Sequence, residues 1–145
     1  MKTLGVAVLV AALSTICAWN FSFARAQDKS EQAPSKKVIR GLVRDIACPL
    51  QNKESTSKRF NLECAKMCAA KGSPLAILTD DGTLYFAIAA GMPDTDQRPR
   101  LLPFVGKYVS VSGDVFERAG THAIVISEIK EDKSVHLDTG SSQPE

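Results

Sequence analysis

Within residues 107–117, every second position from 109 to 115 is valine or glycine. Side chains two apart lie on the same face of a β-strand, so this run predicts a strand with one buried face. A turn at Ala119-Gly120 leads into a second apolar run, 122–130, which predicts the returning strand. The chain is therefore expected to form a long β-hairpin, and its domain is expected to be built mainly from sheet.

Three shorter runs also have the composition of strands. Residues 38–47 are rich in apolar side chains, and Gly41 suits a bend where a sheet curls. Residues 75–79 and 83–87 flank Asp80-Asp81-Gly82, whose Asp-Gly step is a strong hairpin signal. Together with the first hairpin, these runs give five predicted strands.

One segment, residues 61–71, predicts a short helix, because Asn61 is a good N-cap and Gly72 followed by Pro74 ends the pattern. Residues 91–103 contain three prolines and several charges, which predicts a loop. Five strands and one short helix in this order predict a mainly β fold, a small five-stranded OB-like antiparallel barrel. The residues expected on its inner faces are Val43, Ile77, Phe86, Val109, Val111 and Val125.

The first 26 residues have the three parts of a signal peptide. Met1-Lys2 is a short cationic start, residues 4–19 are mostly apolar, and Ala24-Arg25-Ala26 provides a small-x-small cleavage site. A membrane anchor is the alternative, but polar residues interrupt the apolar run, and a spanning helix needs about 20 apolar residues. We therefore expect cleavage after Ala26, a periplasmic or secreted protein, and no stable membrane anchor.

The remaining chain divides into three segments. Residues 27–37 are polar and are predicted to be a flexible linker, residues 38–130 form the barrel domain, and residues 131–145 are predicted to be a disordered tail. Removing Lys2 and Arg25 leaves 16 Lys and Arg against 16 Asp and Glu, so the mature chain has no net charge. No basic cluster interleaved with aromatic residues is present, which argues against nucleic acid as a partner.

Several motifs carry a resemblance to a known group of domains. These are Cys48, the helix sequence Cys64-Ala65-Lys66-Met67-Cys68 and the helix stop Gly72-Ser73-Pro74. Residues 39–129 resemble a family of small secreted bacterial domains with this order of motifs, and residues 102–129 look like the closing strands of many OB-like barrels. The resemblance implies an exported OB-like domain, and it implies no particular activity.

Three cysteines remain after the signal peptide, which itself contains Cys17. Cys64 and Cys68 are four residues apart, so they share one face of the predicted helix. Cys48 ends the first predicted strand, and the 15 intervening residues are enough to bring its sulfur over that face. Three thiolates would suit Cu(I) or Zn(II), with His122 as a candidate fourth ligand.

Other uses of the three cysteines stay open. An oxidising compartment favours a disulfide, which would join Cys48 to Cys64 or to Cys68 and leave one thiol. A catalytic thiol is a third use, although the chain has no C-x-x-C redox pair. His122 is equally compatible with an exposed hairpin histidine, because a single histidine is a poor indicator of a site.

The sequence gives little support for an enzyme. It contains no glycine-rich phosphate loop, no His-Glu-x-x-His motif and no serine nucleophile motif. We therefore expect a non-enzymatic binding module, whose occupant is a soft metal, a small ligand or another periplasmic protein.

Overall fold

A computed structural model describes residues 34–140 of the chain. The predicted signal peptide, residues 27–33 of the predicted linker and the last five residues lie outside this range. Within it, no helix is both long and apolar enough to cross a bilayer.

Five strands form a closed barrel in the order β1-β2-β3-β5-β4, which confirms the predicted architecture. The strands are β1 (Ser35–Asp45), β2 (Leu75–Thr79), β3 (Leu84–Ala87), β4 (Tyr108–Arg118) and β5 (Thr121–Glu131). Four of the pairings are antiparallel, but β3 and β5 run parallel, so the barrel is mixed rather than antiparallel as expected. A ring with an odd number of strands cannot alternate direction throughout, and one parallel pairing is therefore unavoidable.

The predicted bend at Gly41 lies where β1 contacts both β2 and β4. A Cβ atom at this position would lie 2.4 Å from the carbonyl oxygen of Leu78 in β2. No side chain fits at that distance, so glycine is required for β1 to curl between its two neighbours.

The barrel core confirms four of the six residues predicted for its inner faces. Val43, Ile77, Val109 and Val111 are fully buried, whereas Phe86 and Val125 are only half-buried. The inward residues are Tyr85 and Ala87 on β3 and Ile124 and Ile126 on β5. For both strands, the prediction therefore placed the outward-facing residues in the core. An error of one residue exchanges the two faces of a strand, because successive side chains point to opposite sides.

Three short helices and one 3-10 turn join the strands: α1 (Ala47–Gln51), α2 (Leu62–Ala70), α3 (Arg98–Leu101) and the turn Leu102–Phe104. The predicted helix is α2, whose first turn is capped by the Asn61 side chain. The backbone N–H groups of Gly72 and Ser73 donate hydrogen bonds to the carbonyl oxygens of Ala69 and Cys68. These bonds end α2 where Gly72 was predicted to end it. The prediction of a loop over residues 91–103 was wrong at α3, where Leu101 is buried in the core.

Part of the segment predicted as a tail contacts the barrel. Asp138 accepts a backbone hydrogen bond from Phe60 at 3.0 Å and donates one to Lys58 at 2.8 Å. The neighbouring Leu137 packs on a second apolar cluster, formed by Leu42, Phe60 and Ala65. This C-terminal segment therefore covers the loop between α1 and α2.

Candidate metal centre

The three cysteines predicted as ligands come together at the contact between α1 and α2. Cys48 lies in α1, not at the end of β1 as predicted, because β1 stops at Asp45 and the chain turns into a helix. Cys64 and Cys68 lie one turn apart on α2, as predicted. Their three sulfur atoms all lie within 4.8 Å of one another, and each cysteine is half-buried. Such a group could bind a metal ion.

All three cysteines are free thiols in the structure. The closest pair is Cys48 and Cys64, with 3.3 Å between their sulfur atoms. A disulfide bond is about 2.05 Å long, so these two sulfurs are in contact but not bonded.

A buried ion pair lies directly before α1. Arg44 and Asp45, the last two residues of β1, have side chains that are 1% and 0% exposed. One carboxylate oxygen of Asp45 accepts the backbone N–H of Cys48 at 2.8 Å, which fixes the turn that carries this cysteine. The other oxygen lies 3.4 Å from Nη2 of Arg44, and Nη1 of Arg44 donates to Oγ of Ser55 at 2.5 Å.

This environment disfavours thiolate anions when no cation is bound. Burial raises the pKa of the Cys48 thiol well above its usual range, and contacts with Cys64 and the Asp45 carboxylate raise it further. Burial also raises the pKa of the Cys68 thiol, again with a contribution from Asp45. Both thiols are therefore protonated at neutral pH in the metal-free protein, and a bound cation would have to displace these protons.

His122 lies outside the cysteine cluster. It is the second residue of β5, where it pairs with Tyr85 of β3 on one side and with Glu117 of β4 on the other. Its Nδ1 atom is 3.8 Å from the Glu117 carboxylate, and its ring centroid is 5.4 Å from that of Tyr85. Among residues 34–140, the side chains that lie close enough together to hold a metal ion are the three cysteines, and His122 is not one of them.

The loop between α1 and α2 is held to the barrel by Asp80, which the sequence suggested only as a turn residue. One carboxylate oxygen accepts hydrogen bonds from Ser57 at 2.6 Å and from the Tyr108 hydroxyl at 3.0 Å. The other lies 2.6 Å from the Lys58 ammonium group. Burial alone would raise the pKa of Asp80, but these contacts outweigh it and lower the pKa.

A cavity of about 180 Å³ opens beside the sulfur atoms of Cys48 and Cys64. Arg44 and Arg59 contribute to its lining, together with Phe60. No sequence pattern indicated this cavity, because its residues come from the end of β1, from α1, from an irregular loop and from the start of α2.

Comparison with known proteins gives no match: no family model, no curated protein and no solved structure is significantly similar to this chain. The chemistry of the site therefore has to be inferred from its geometry.

Proposed function

We propose that this protein is an exported, non-enzymatic binding module that holds a soft metal ion, Cu(I) or Zn(II), through Cys48, Cys64 and Cys68. The observation that carries the proposal is the convergence of three sulfur atoms within 4.8 Å of one another. Sulfurs bound to a tetrahedral Zn(II) at about 2.3 Å lie about 3.8 Å apart. Because the sulfur atoms already lie at or near this separation, small side-chain movements would be enough for the three cysteines to coordinate one ion.

The ligand type supports a soft metal. Thiolates select Cu(I) and Zn(II), whereas hard cations such as Mg²⁺ and Ca²⁺ require oxygen ligands. Two helices supply the sulfurs, and both are held in place, α1 by Asp45 and α2 by the Asn61 cap. Three thiolates would suffice for Cu(I), while Zn(II) would take a fourth ligand from outside the cluster.

The same environment argues against a catalytic thiol. A nucleophilic cysteine requires a lowered pKa or an adjacent base. Here burial and Asp45 act in the opposite direction on Cys48 and Cys68. We therefore retain the interpretation of a binding protein rather than an enzyme.

A disulfide-linked domain that binds a protein or a small ligand is the second candidate function. The 3.3 Å contact favours Cys48 with Cys64 as the bonded pair, and it leaves Cys68 as the free thiol. Closing a loop of this length would stabilise the fold by about 3 kcal/mol. Export, which both candidates assume, rests on the signal sequence in residues 1–26.

Titration of the reduced protein with Cu(I) or Zn(II) at neutral pH tests the proposal. We expect the wild type to bind one equivalent, and Cys64→Ser to lose about 100-fold or more in affinity, because it removes one of three sulfur ligands and losing even an outer-shell partner costs up to about 100-fold. Lys66→Ser is the matched control, since it introduces serine on the exposed side of the same helix and should bind like the wild type.

Two results would contradict the metal site. One is the absence of stoichiometric binding by the reduced wild type. The other is equal binding by the wild type and Cys64→Ser. A single reactive thiol in protein isolated without reductant, combined with no metal, would support the disulfide-linked alternative.

A further inference from the structure

The charged groups around the cysteine cluster already balance one another. The buried Arg44 guanidinium lies 3.4 Å from the buried Asp45 carboxylate. Arg59, which lines the cavity beside the cluster, pairs with Glu54. Two positive charges therefore face two negative charges. Any net charge that an occupant and its three sulfur ligands carry at this half-buried position stays uncompensated, which is costly away from water.

The charge of the occupant therefore determines how well it suits the three sulfurs. Three thiolates with Cu(I) carry two net negative charges, and three thiolates with Zn(II) carry one. A trivalent centre leaves no net charge. Because thiolates also select soft elements, the charge balance favours a soft element in its trivalent state.

The number of sulfur ligands points to the same class of occupant. Among residues 34–140, the His, Cys, Asp and Glu side chains close enough together to hold one ion are three cysteines. Structural Zn(II) sites, by contrast, are almost always four-coordinate. Trivalent arsenic forms three bonds to sulfur in a pyramid, and its lone pair occupies the fourth position. Trivalent arsenic therefore needs no ligand beyond Cys48, Cys64 and Cys68.

We propose that these three cysteines bind arsenite, the neutral trihydroxide As(OH)₃, with one arsenic atom per chain. Each free thiol gives its proton to one hydroxyl group of arsenite, which leaves as water while an As–S bond replaces the As–O bond. Three S–H and three As–O bonds break, and three O–H and three As–S bonds form, so no electron is transferred and no charge is created. The inference rests on the proposed function, because the same three sulfurs form one site, and it names a neutral trivalent species as the occupant.

The cavity beside the cluster gives arsenite a route to the sulfur atoms. Its volume of about 180 Å³ is several times the share of one water molecule, about 30 Å³, and arsenite has only four non-hydrogen atoms. Cys48 and Cys64 both line this cavity, and their sulfur atoms are 3.3 Å apart. The first two As–S bonds form with this pair, and Cys68, one turn along α2, supplies the third sulfur.

Mass spectrometry of the reduced protein mixed with arsenite, under non-denaturing conditions, tests the inference. We expect one adduct per chain, with a mass gain of one arsenic atom minus three hydrogen atoms, because all three thiols lose their protons. An adduct on two sulfurs would instead retain one hydroxyl group and lose only two hydrogen atoms. The mass therefore counts the sulfur ligands directly.

Two arsenic compounds distinguish the loss of a third ligand from a general loss of structure. Phenylarsonous acid has a phenyl group in place of one hydroxyl group, so it binds at most two sulfurs. Cys68→Ser should weaken arsenite binding by about 100-fold or more, because one tethered bond is lost, and should leave the binding of phenylarsonous acid nearly unchanged. The matched control is Lys66→Ser, at an exposed position of α2, which should bind both compounds like the wild type.

The inference is overturned by a wild-type adduct that has lost only two hydrogen atoms, by the absence of any adduct, or by an equal loss of both compounds in Cys68→Ser. If this variant does not fold, or if phenylarsonous acid does not bind the wild type, the mass of the arsenite adduct decides alone. Binding of Zn(II) or Cu(I) without an arsenite adduct would contradict this inference and leave the metal-ion function standing. An arsenite adduct on three sulfurs without binding of either ion would support the inference and contradict the metal-ion function.

Discussion

Replacing Asp45 by asparagine is the sharpest perturbation of the cysteine cluster that leaves all three sulfurs in place. The carboxylate is fully buried, lies 3.4 Å from the buried guanidinium of Arg44 and accepts the Cys48 N–H at 2.8 Å. Asparagine has the same shape and keeps an oxygen for that N–H. The substitution therefore removes the charge while retaining the turn into α1.

The loss of charge should destabilise the fold and favour the thiolates. Removing one partner of a buried ion pair costs about 3–5 kcal/mol, because the other charge stays buried without compensation. The contact is long and Arg44 keeps its bond to Ser55, so we expect the lower end of this range, about 3 kcal/mol. The pKa values of Cys48 and Cys68 should fall, since Asp45 contributes to raising both.

Denaturant unfolding measures the first effect, and the pH dependence of thiol reactivity in the reduced protein measures the second. Asp114→Asn is the matched control, because Asp114 forms only an exposed pair with Lys36. An Asp45→Asn protein as stable as this control, with unchanged thiol reactivity, would show that the buried carboxylate has no electrostatic effect on the cluster.

Two further predictions concern the support of the site. Burial and a carboxylate hydrogen bond raise the pKa of Tyr108 to about 12. The contribution of Tyr108 to stability is therefore fully present below about pH 10 and is lost as the pH rises through about 12. Tyr85→Phe leaves Tyr108 as the one tyrosine of the chain, and its ultraviolet titration should show this late ionisation. An ordinary midpoint near pH 10 would contradict the prediction. Leu137→Ala should lower the free energy of unfolding by about 1 kcal/mol, because half of a leucine side chain loses its apolar contact. An equal loss in Val38→Ala, at an exposed position, would show that the C-terminal segment does not stabilise the loop.

The elements that could be predicted are those set by local chemistry. The Asp81-Gly82 and Ala119-Gly120 turns each join strands, as their residue types require. Asn61 caps α2 because its short side chain reaches the N–H of Cys64. In each case, the residues that determine the structure are neighbours in sequence.

The errors arose where the pattern allowed two interpretations. Residues 124–126 are Ile-Val-Ile, so either face of β5 could point inward, and the register shift near Ser112 and Gly113 changes the alternation along the pair. The predicted all-antiparallel barrel conflicts with the odd number of strands, a geometric constraint that the strand count already implied. The helix α1 has only five residues, too few for a periodic signal.

The cysteines of the site could be predicted, but their surroundings could not. The spacing of Cys64 and Cys68 fixes their common face, and the short loop limits how far Cys48 can lie. Arg44 follows the inward Val43 along β1, so alternation puts it on the face opposite the core, where an arginine is ordinarily exposed. It is buried in contact with Phe60 and Ser55, which belong to the loop between α1 and α2 and reach Arg44 only in the folded barrel.

The buried ion pair bears on which metal the cluster would hold. Three thiolates and the Asp45 carboxylate, against the single charge of Arg44, leave three uncompensated negative charges in a half-buried site. Zn(II) reduces this excess to one charge, whereas Cu(I) leaves two. Uncompensated charge away from water is costly, so the proposed site would favour the divalent ion, or Cu(I) with one sulfur still protonated. If the proposed metal site forms, the carboxylate that raises the thiol pKa values in the metal-free protein would therefore favour the more highly charged cation once the protons have left.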